Sequence, residues 1–393
     1  MFKNFKRWHL YLVLVVVALS AVYLFYSLSA GGSSGVKTAV KKDAKAVKAS
    51  VPSRQKPERK PIYGLYLTSN SAASATKVDS VLAAIKGSQI NAVVIDIKDS
   101  VGYLSYDSQL PLVNQLGLKK VNIKDLPGVL KKFHDHGIYT IARIAVFEDS
   151  VLSVKKPEWA VQNKDTGGIW KDNKGLSWLD PANPEVWAYH VDVAKEAIAL
   201  GFDEINLDYI RFPSDGKLST MKFPKWAGQG PKSDVIRNFF AYFRKATKDE
   251  PAYLSADVFG MVTTARNDLN IGQLLENFAP YVDYICPMVY PSHYASGYLK
   301  FSSPAAHPYE VIFNDVSYAD HRLASSTATS TALSTAIGAK YSAQIRPWIQ
   351  DFNLGAVYDA AMIKKEIKAV SDSGNRGWTT WNAANRYTWE AYK

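Results

Sequence analysis

Beyond Pro61 one pattern recurs along the chain: a short run of β-branched and aromatic residues that closes on polar side chains, then a longer stretch with helical spacing of its apolar positions. The short runs occupy residues 62–68, 92–99, 139–147, 204–213, 252–260, 281–290, 344–352 and 377–383. The intervening helical stretches include 76–86, 125–136, 184–200, 233–249 and 356–373. Strands alternating with helices predict parallel βαβ units, and eight such units predict closure into a (β/α)8 TIM barrel over residues 61–393. An open, doubly wound sheet is the competing α/β architecture, but no Gly-rich phosphate loop follows the first strand. Two connections, 155–183 and 291–343, are longer than a single helix needs. Both follow the C-terminal ends of strands, where the loops of a barrel build its site. The first carries Trp159, Trp170 and Trp178, which suit either a stacking face or a local core.

The first 60 residues follow a different pattern. Residues 10–30 contain no charged side chain and lie behind Lys3, Lys6 and Arg7. That length predicts one membrane-spanning helix, retained as an anchor, with the basic flank cytoplasmic and the C-terminal body outside. Cleavage after the small residues Ser27, Ser29 and Ala30 would instead release the body as a secreted protein. Residues 31–60 are Gly, Ser, Ala, Lys and Pro with almost no large apolar side chain, which predicts a flexible basic linker.

The formal charge of +11 changes meaning once it is divided along the chain. Of 47 Lys/Arg and 36 Asp/Glu, residues 1–60 hold 12 and 2, which leaves 35 against 34 for the remainder. The folded body is nearly neutral, so the chain lacks the basic face of a nucleic-acid binder. The single cysteine, Cys286, excludes an internal disulfide and any cysteine-based zinc cluster. His134 and His136 fall on different faces of their helix, and no metal site or cofactor is expected.

Strand alternation then selects candidate chemistry. With Ile205, Leu207 and Tyr209 against the helices, Asn206 and Asp208 face the barrel interior, with Asp208 near the mouth. With Leu254, Ala256 and Val258 outside, Ser255 and Asp257 face inward. Two carboxylates on neighbouring strands are the minimum for splitting a glycosidic bond, one as acid and one as nucleophile or base. Arg211, three residues past Asp208, is a candidate for substrate binding, and a structural pairing of either acid with it is the competing explanation. The same count turns Asp96 and Lys98 inward on the second strand, with Arg143 beside Asp96 as an ion pair or part of the site. Lys98 is placed to hold a substrate hydroxyl or carboxylate. Glu148 and Asp149 close the third strand as alternative acids. Tyr290 and His293, Gln350 and Asp351, and Trp381 and Asn382 end the later strands, combining the aromatic faces and polar edges that suit a sugar. A serine triad is disfavoured, since no Gly-x-Ser-x-Gly elbow occurs.

The segments VIDIKD (94–99), GIYTIAR (137–143), LDYIRFP (207–213), SADVFG (255–260), PMVYPSHY (287–294) and RPWIQDF (346–352) resemble, in combination, a bacterial and archaeal family of (β/α)8 glycoside hydrolases. Residues 202–209 are also similar to the fourth-strand signature of family 18 chitinases, whose acid is a Glu two residues past the last Asp. Ile210 stands there in this chain, so that mechanism does not transfer. The departure favours Asp208 as nucleophile or base with the acid on another strand, as in amylase-like barrels, where the fifth-strand acid is usually Glu; Asp257 is one carbon shorter. The resemblance implies a glycoside hydrolase; joined to the predicted anchor and the absence of an expected cofactor, it gives an extracytoplasmic, cofactor-free hydrolase acting on a polysaccharide or envelope glycan as the leading expectation. A non-catalytic carbohydrate-binding barrel tethered to the membrane is the alternative. A third reading is an inward-facing body acting on a soluble oligosaccharide.

Overall fold

The computed structural model describes residues 54–329, 343–374 and 377–393. The expected membrane span and most of the linker therefore lie outside the described residues. Among the described residues no helix is long and apolar enough to cross a membrane.

Eight parallel staves close on themselves: β1 (Tyr63–Leu67), β2 (Ala92–Lys98), β3 (Tyr139–Ala145), β4 (Glu204–Asp208), β5 (Tyr253–Phe259), β6 (Tyr284–Met288), β7 (Gln344–Ile345 and Trp348–Gln350) and β8 (Trp378–Trp381). β1 pairs with β2 on one side and β8 on the other, which closes the barrel. β7 is split because Pro347 has no N–H to give the ladder. Its first half pairs with Tyr284 and Ile285, its second with Met288 and β8.

Alternation along the staves produces two separate cores. Leu65, Val93, Ile95, Ile144, Ile205, Leu207, Leu254, Ala256 and Val258 face outward into the helix layer. Val94, Tyr139, Ile141, Tyr284, Cys286 and Trp348 fill the barrel itself. The helices between staves begin where their sequences supply caps. Asp125 accepts a hydrogen bond from Gly128 N ahead of Leu126–Asp135, and Asn183 from Glu185 N ahead of Pro184–Leu200. Along β4 the inward side chains are Glu204 at the floor, Asn206 midway and Asp208 at the mouth, so one strand samples the full depth of the barrel.

Residues 54–60, assigned to the linker by composition, run along the floor. Arg54 donates to Phe202 O and pairs with Asp203, Arg59 donates to Asp283 O at 2.7 Å, and Tyr253 donates to Pro57 O at 2.9 Å. Four short strands have no counterpart in the expected pattern. Leu104–Tyr106 and Lys119–Ile123 extend the sheet from the end of β2, and Gln162–Asn163 pairs with Met221–Lys222 in a separate two-stranded sheet. The 291–343 connection, longer than a single helix needs, contains the long helix Pro308–Thr329.

Candidate active site

At the mouth one guanidinium faces three carboxylates. Arg143 pairs with Asp96 through Nη1 at 2.5 Å and with Asp208 through Nη2, while its Nε lies 3.8 Å from Asp257 Oδ2. The register sets this up, since Asp96 is opposite Arg143 across β2 and β3, and Arg143 is opposite Asn206 across β3 and β4. Arg143 Nε is a buried donor with no hydrogen-bond acceptor. All four side chains are buried, so the balance of charge here is set by these contacts more than by water.

The two acids differ in their donors. Asp208 accepts from Arg143 and from the backbone N–H of Tyr209 at 2.6 Å. Tyr209 itself takes a left-handed conformation, φ 55°. Such a backbone is uncommon for a bulky residue and is held in place by its surroundings. Asp257 Oδ1 accepts from Asn206 Nδ2 at 2.9 Å and Trp348 Nε1 at 2.7 Å. Burial, reinforced by the neighbouring Asp208 and opposed by Arg143, pushes the Asp257 carboxyl up to about 8. With Oδ1 occupied by two donors, the proton belongs on Oδ2. Burial also raises Asp96 from its ordinary value, against the pull of Arg143 and Tyr66.

These acids open onto a cavity of about 370 Å³ lined by Tyr209, Arg211, Met288, Tyr290, His293, Trp348 and Trp381, among others. The size lies within the range usual for small-molecule sites, about 300–1,000 Å³. Trp381 stacks on Tyr66 with centroids 3.9 Å apart, and Arg143 sits 5.3 Å from the Trp381 ring. The result is a flat aromatic wall beside two carboxyls, which suits the apolar face and hydroxyl edge of a sugar. Among the described residues no cluster of three or more His, Cys, Asp or Glu side chains is arranged to hold a metal ion.

Residues 64–387 match the family model described as "Putative glycosyl hydrolase domain". The chain belongs to this family. No curated protein matches the sequence of this glycosyl hydrolase family member. A hypothetical protein from Ruminiclostridium thermocellum is 43% identical over 49% of this chain and 97% of its own, with a TM-score of 0.45. The glycoside hydrolase domain of PgaB (BpsB) from Bordetella bronchiseptica aligns over 84% of this chain and 98% of its own, with a TM-score of 0.57 and 13% identity. The α-L-fucosidase isoenzyme 2 from Paenibacillus thiaminolyticus aligns over 85% and 49%, with a TM-score of 0.53 and 14% identity. At such identities the last two likenesses speak to the barrel fold alone.

Within this glycosyl hydrolase family member, Asp208, Asp257, Arg211, Tyr290, His293 and Trp381 share the cavity wall, and Asp96 stands behind them on Arg143. Glu148 is buried just outside it, raised to about 7 by burial against the attraction of Arg211. Four expected site residues are placed elsewhere. Lys98 turns into the helix layer: the β2 register slips between Asp96 and Lys98, so Lys98 sits opposite the outward Ile144 and its parity reverses. It is fully buried, 2.7 Å from Asp149 and 2.8 Å from Ala145 O. Gln350 braces the loop after β6 by accepting from Ser292 Oγ at 2.7 Å. Asp351 ties down the C-terminus by accepting from Thr388 and Tyr392, and Asn382 donates to Asp351 O and Arg386 O. Asp149, an alternative acid, caps the helix Ser150–Lys155 instead. Tyr209, expected against the helices, lines the cavity because β4 ends at Asp208. Trp159, Trp170 and Trp178 are buried as a local core. The central role of Arg143, and the Trp348 and Tyr209 N–H contacts to the acids, were not legible from alternation beyond the Asp96 pairing.

Proposed function

We propose that this protein hydrolyses O-glycosidic bonds of a polysaccharide or envelope glycan on the outer side of the membrane, with Asp257 as general acid and Asp208 as nucleophile or base. The observation that carries the reading is the unequal pair at the mouth. Asp257 retains its proton at neutral pH, while Asp208 accepts from the Arg143 guanidinium and the Tyr209 amide. Proton transfer from Asp257 Oδ2 to the leaving oxygen creates a carboxylate beside the unpartnered Arg143 Nε, which neutralises it. Arg143 thus serves as a counter-charge shared by both acids as charge shifts between them. The outward placement is supported by the basic flank and uncharged run of residues 1–30.

Incubating the full-length chain with a glycan panel, with products read by mass spectrometry, tests the chemistry. Fragments whose masses sum to substrate plus one water are expected. Fragments lighter by one water, the mark of elimination, would overturn hydrolysis. Binding without cleavage, by wild type and Asp208→Asn alike, would select the non-catalytic barrel. Protease applied to intact spheroplasts should release the barrel, and protection of the whole chain would overturn the outward placement.

A further inference from the structure

Five cationic side chains are buried among the described residues: Lys98, Arg143, Arg211, Arg322 and Arg346. Four have a carboxylate in contact. Lys98 has Asp149 at 2.7 Å, Arg143 has Asp96 at 2.5 Å, Arg322 has Glu276 at 2.6 Å, and Arg346 has Glu204 at 3.0 Å. Arg211 has none within ion-pair distance. Its Nη1 donates to Phe212 O at 3.2 Å and Ser214 Oγ at 3.1 Å, which leaves Nε and Nη2 without an acceptor among the described residues, on a side chain that lines the cavity. Burying an unpaired charge is costly, so a site that retains one is incomplete without an anion.

The guanidinium is also held rigid. It lies 4.6 Å from the Trp178 ring and 4.7 Å from Phe259, a position that fixes the direction of its free edge. The nearby acids are already engaged: Asp208 by Arg143 and Tyr209 N, Asp172 by the amides of Lys174 and Leu176 and by Trp178 Nε1, and Asp215 by Asn173 N at 3.4 Å. Glu148 attracts Arg211 without contacting it. Lys174, on the 155–183 connection, lines the same cavity and forms no ion pair among the described residues.

Resting on the glycosidase reading above, we infer that Arg211, assisted by Lys174, forms a subsite for an oxyanion carried by the substrate, so that the glycan cleaved is an acidic one. The shared chemistry is a carboxylate, sulfate or phosphate on a sugar, each of which matches the guanidinium fork.

The test is direct binding to the full-length chain by titration calorimetry. The probes are uronate oligosaccharides of several linkages, each beside its carboxyl-reduced counterpart, and sulfated and phosphorylated oligosaccharides beside their unsubstituted forms. At least one charged member should bind about tenfold or more tightly than its neutral partner, the gain of a charge-assisted pair. The pair that shows it identifies the anion. Arg211→Gln should abolish that ratio with Tm nearly unchanged, Arg211→Lys should retain part of it, and Lys174→Gln, a surface change with little risk to folding, should lower it a few-fold. Equal binding across every pair, no binding by any charged member, or a preference that survives Arg211→Gln would overturn the inference. Failure of the glycosidase reading would look different: the charged preference would persist with no cleavage.

Discussion

The two ends of the barrel interior treat buried charge in opposite ways. At the floor, Glu204 and Arg346 form a bidentate pair, Tyr139 adds a donor to Glu204 at 3.2 Å, and Arg346 lies 4.5 Å from the Tyr284 ring. One cation meets one anion. At the mouth, Arg143 faces Asp96, Asp208 and Asp257, and the surplus negative charge is reduced by holding a proton on Asp257. A matched pair needs no proton and has no proton to give. A mismatched cluster stores one, and the contrast separates a structural use of buried ions from a chemical one within a single strand, β4, which supplies Glu204 to one end and Asp208 to the other.

The largest expected effect breaks the floor. Glu204→Gln leaves Arg346 charged and unpaired, and should cost about 3–5 kcal/mol in chemical denaturation, the usual penalty for removing one partner of a buried pair. The fraction that remains folded should keep its kcat/KM. If turnover per folded molecule falls instead, the two ends are coupled and the division is wrong.

At the mouth the pattern reverses. Asp208→Asn should lower turnover by about a hundredfold or more while Tm moves little, because the lost charge matters most in the transition state. Asp257→Asn should cost a similar factor, partly recovered with substrates whose leaving group needs no proton. Equal rates for wild type and Asp208→Asn would remove Asp208 from the chemistry.

The pH dependence sharpens the comparison further. An ordinary Asp loses its proton near 3.9, whereas Asp257 holds its own to about 8. Between those values the folded chain binds a proton that the unfolded chain has released, so this group's contribution to stability falls as pH rises through that window. Asn at 257 keeps the acceptor for Asn206 and Trp348 and has nothing to ionise. Asp257→Asn should therefore raise Tm over wild type by about 2 °C or more at pH 8 to 9, with little difference at pH 4. Wild-type turnover should decline above about pH 8 as the acid is lost. An unchanged Tm difference across the whole range would show that Asp257 titrates normally.

The smallest effect concerns the strap across the floor. Arg54 is 29% exposed in its pair with Asp203, so Arg54→Ala should cost less than about 1 kcal/mol. A larger loss would make residues 54–60 part of the barrel's foundation.

Several features followed from the sequence alone because they depend on local pattern. Period-two alternation in LDYIRFP and SADVFG places Asp208 and Asp257 on the inner face, and strand-helix alternation implies eight parallel staves. The family match, residues 64–387, spans the same segments. The rest required contacts between distant residues. A single register slip turned Lys98 away from the interior, and no pattern of residue types within one strand reports a bulge that depends on its neighbour. Gln350, Asp351 and Asn382 end strands as a binding residue would, but the loops and C-terminus that engage them arrive from 4 to 58 residues away. Alternation likewise does not report which of two inward carboxylates holds a proton; the resemblance favours Asp208 as nucleophile or base, and burial, Arg143 and the donors from Asn206 and Trp348 set the proton on Asp257. Alternation along a strand fixes which way a side chain faces, because it is a property of the backbone. Its protonation and its partners are properties of the surrounding field, and only the closed barrel creates that field.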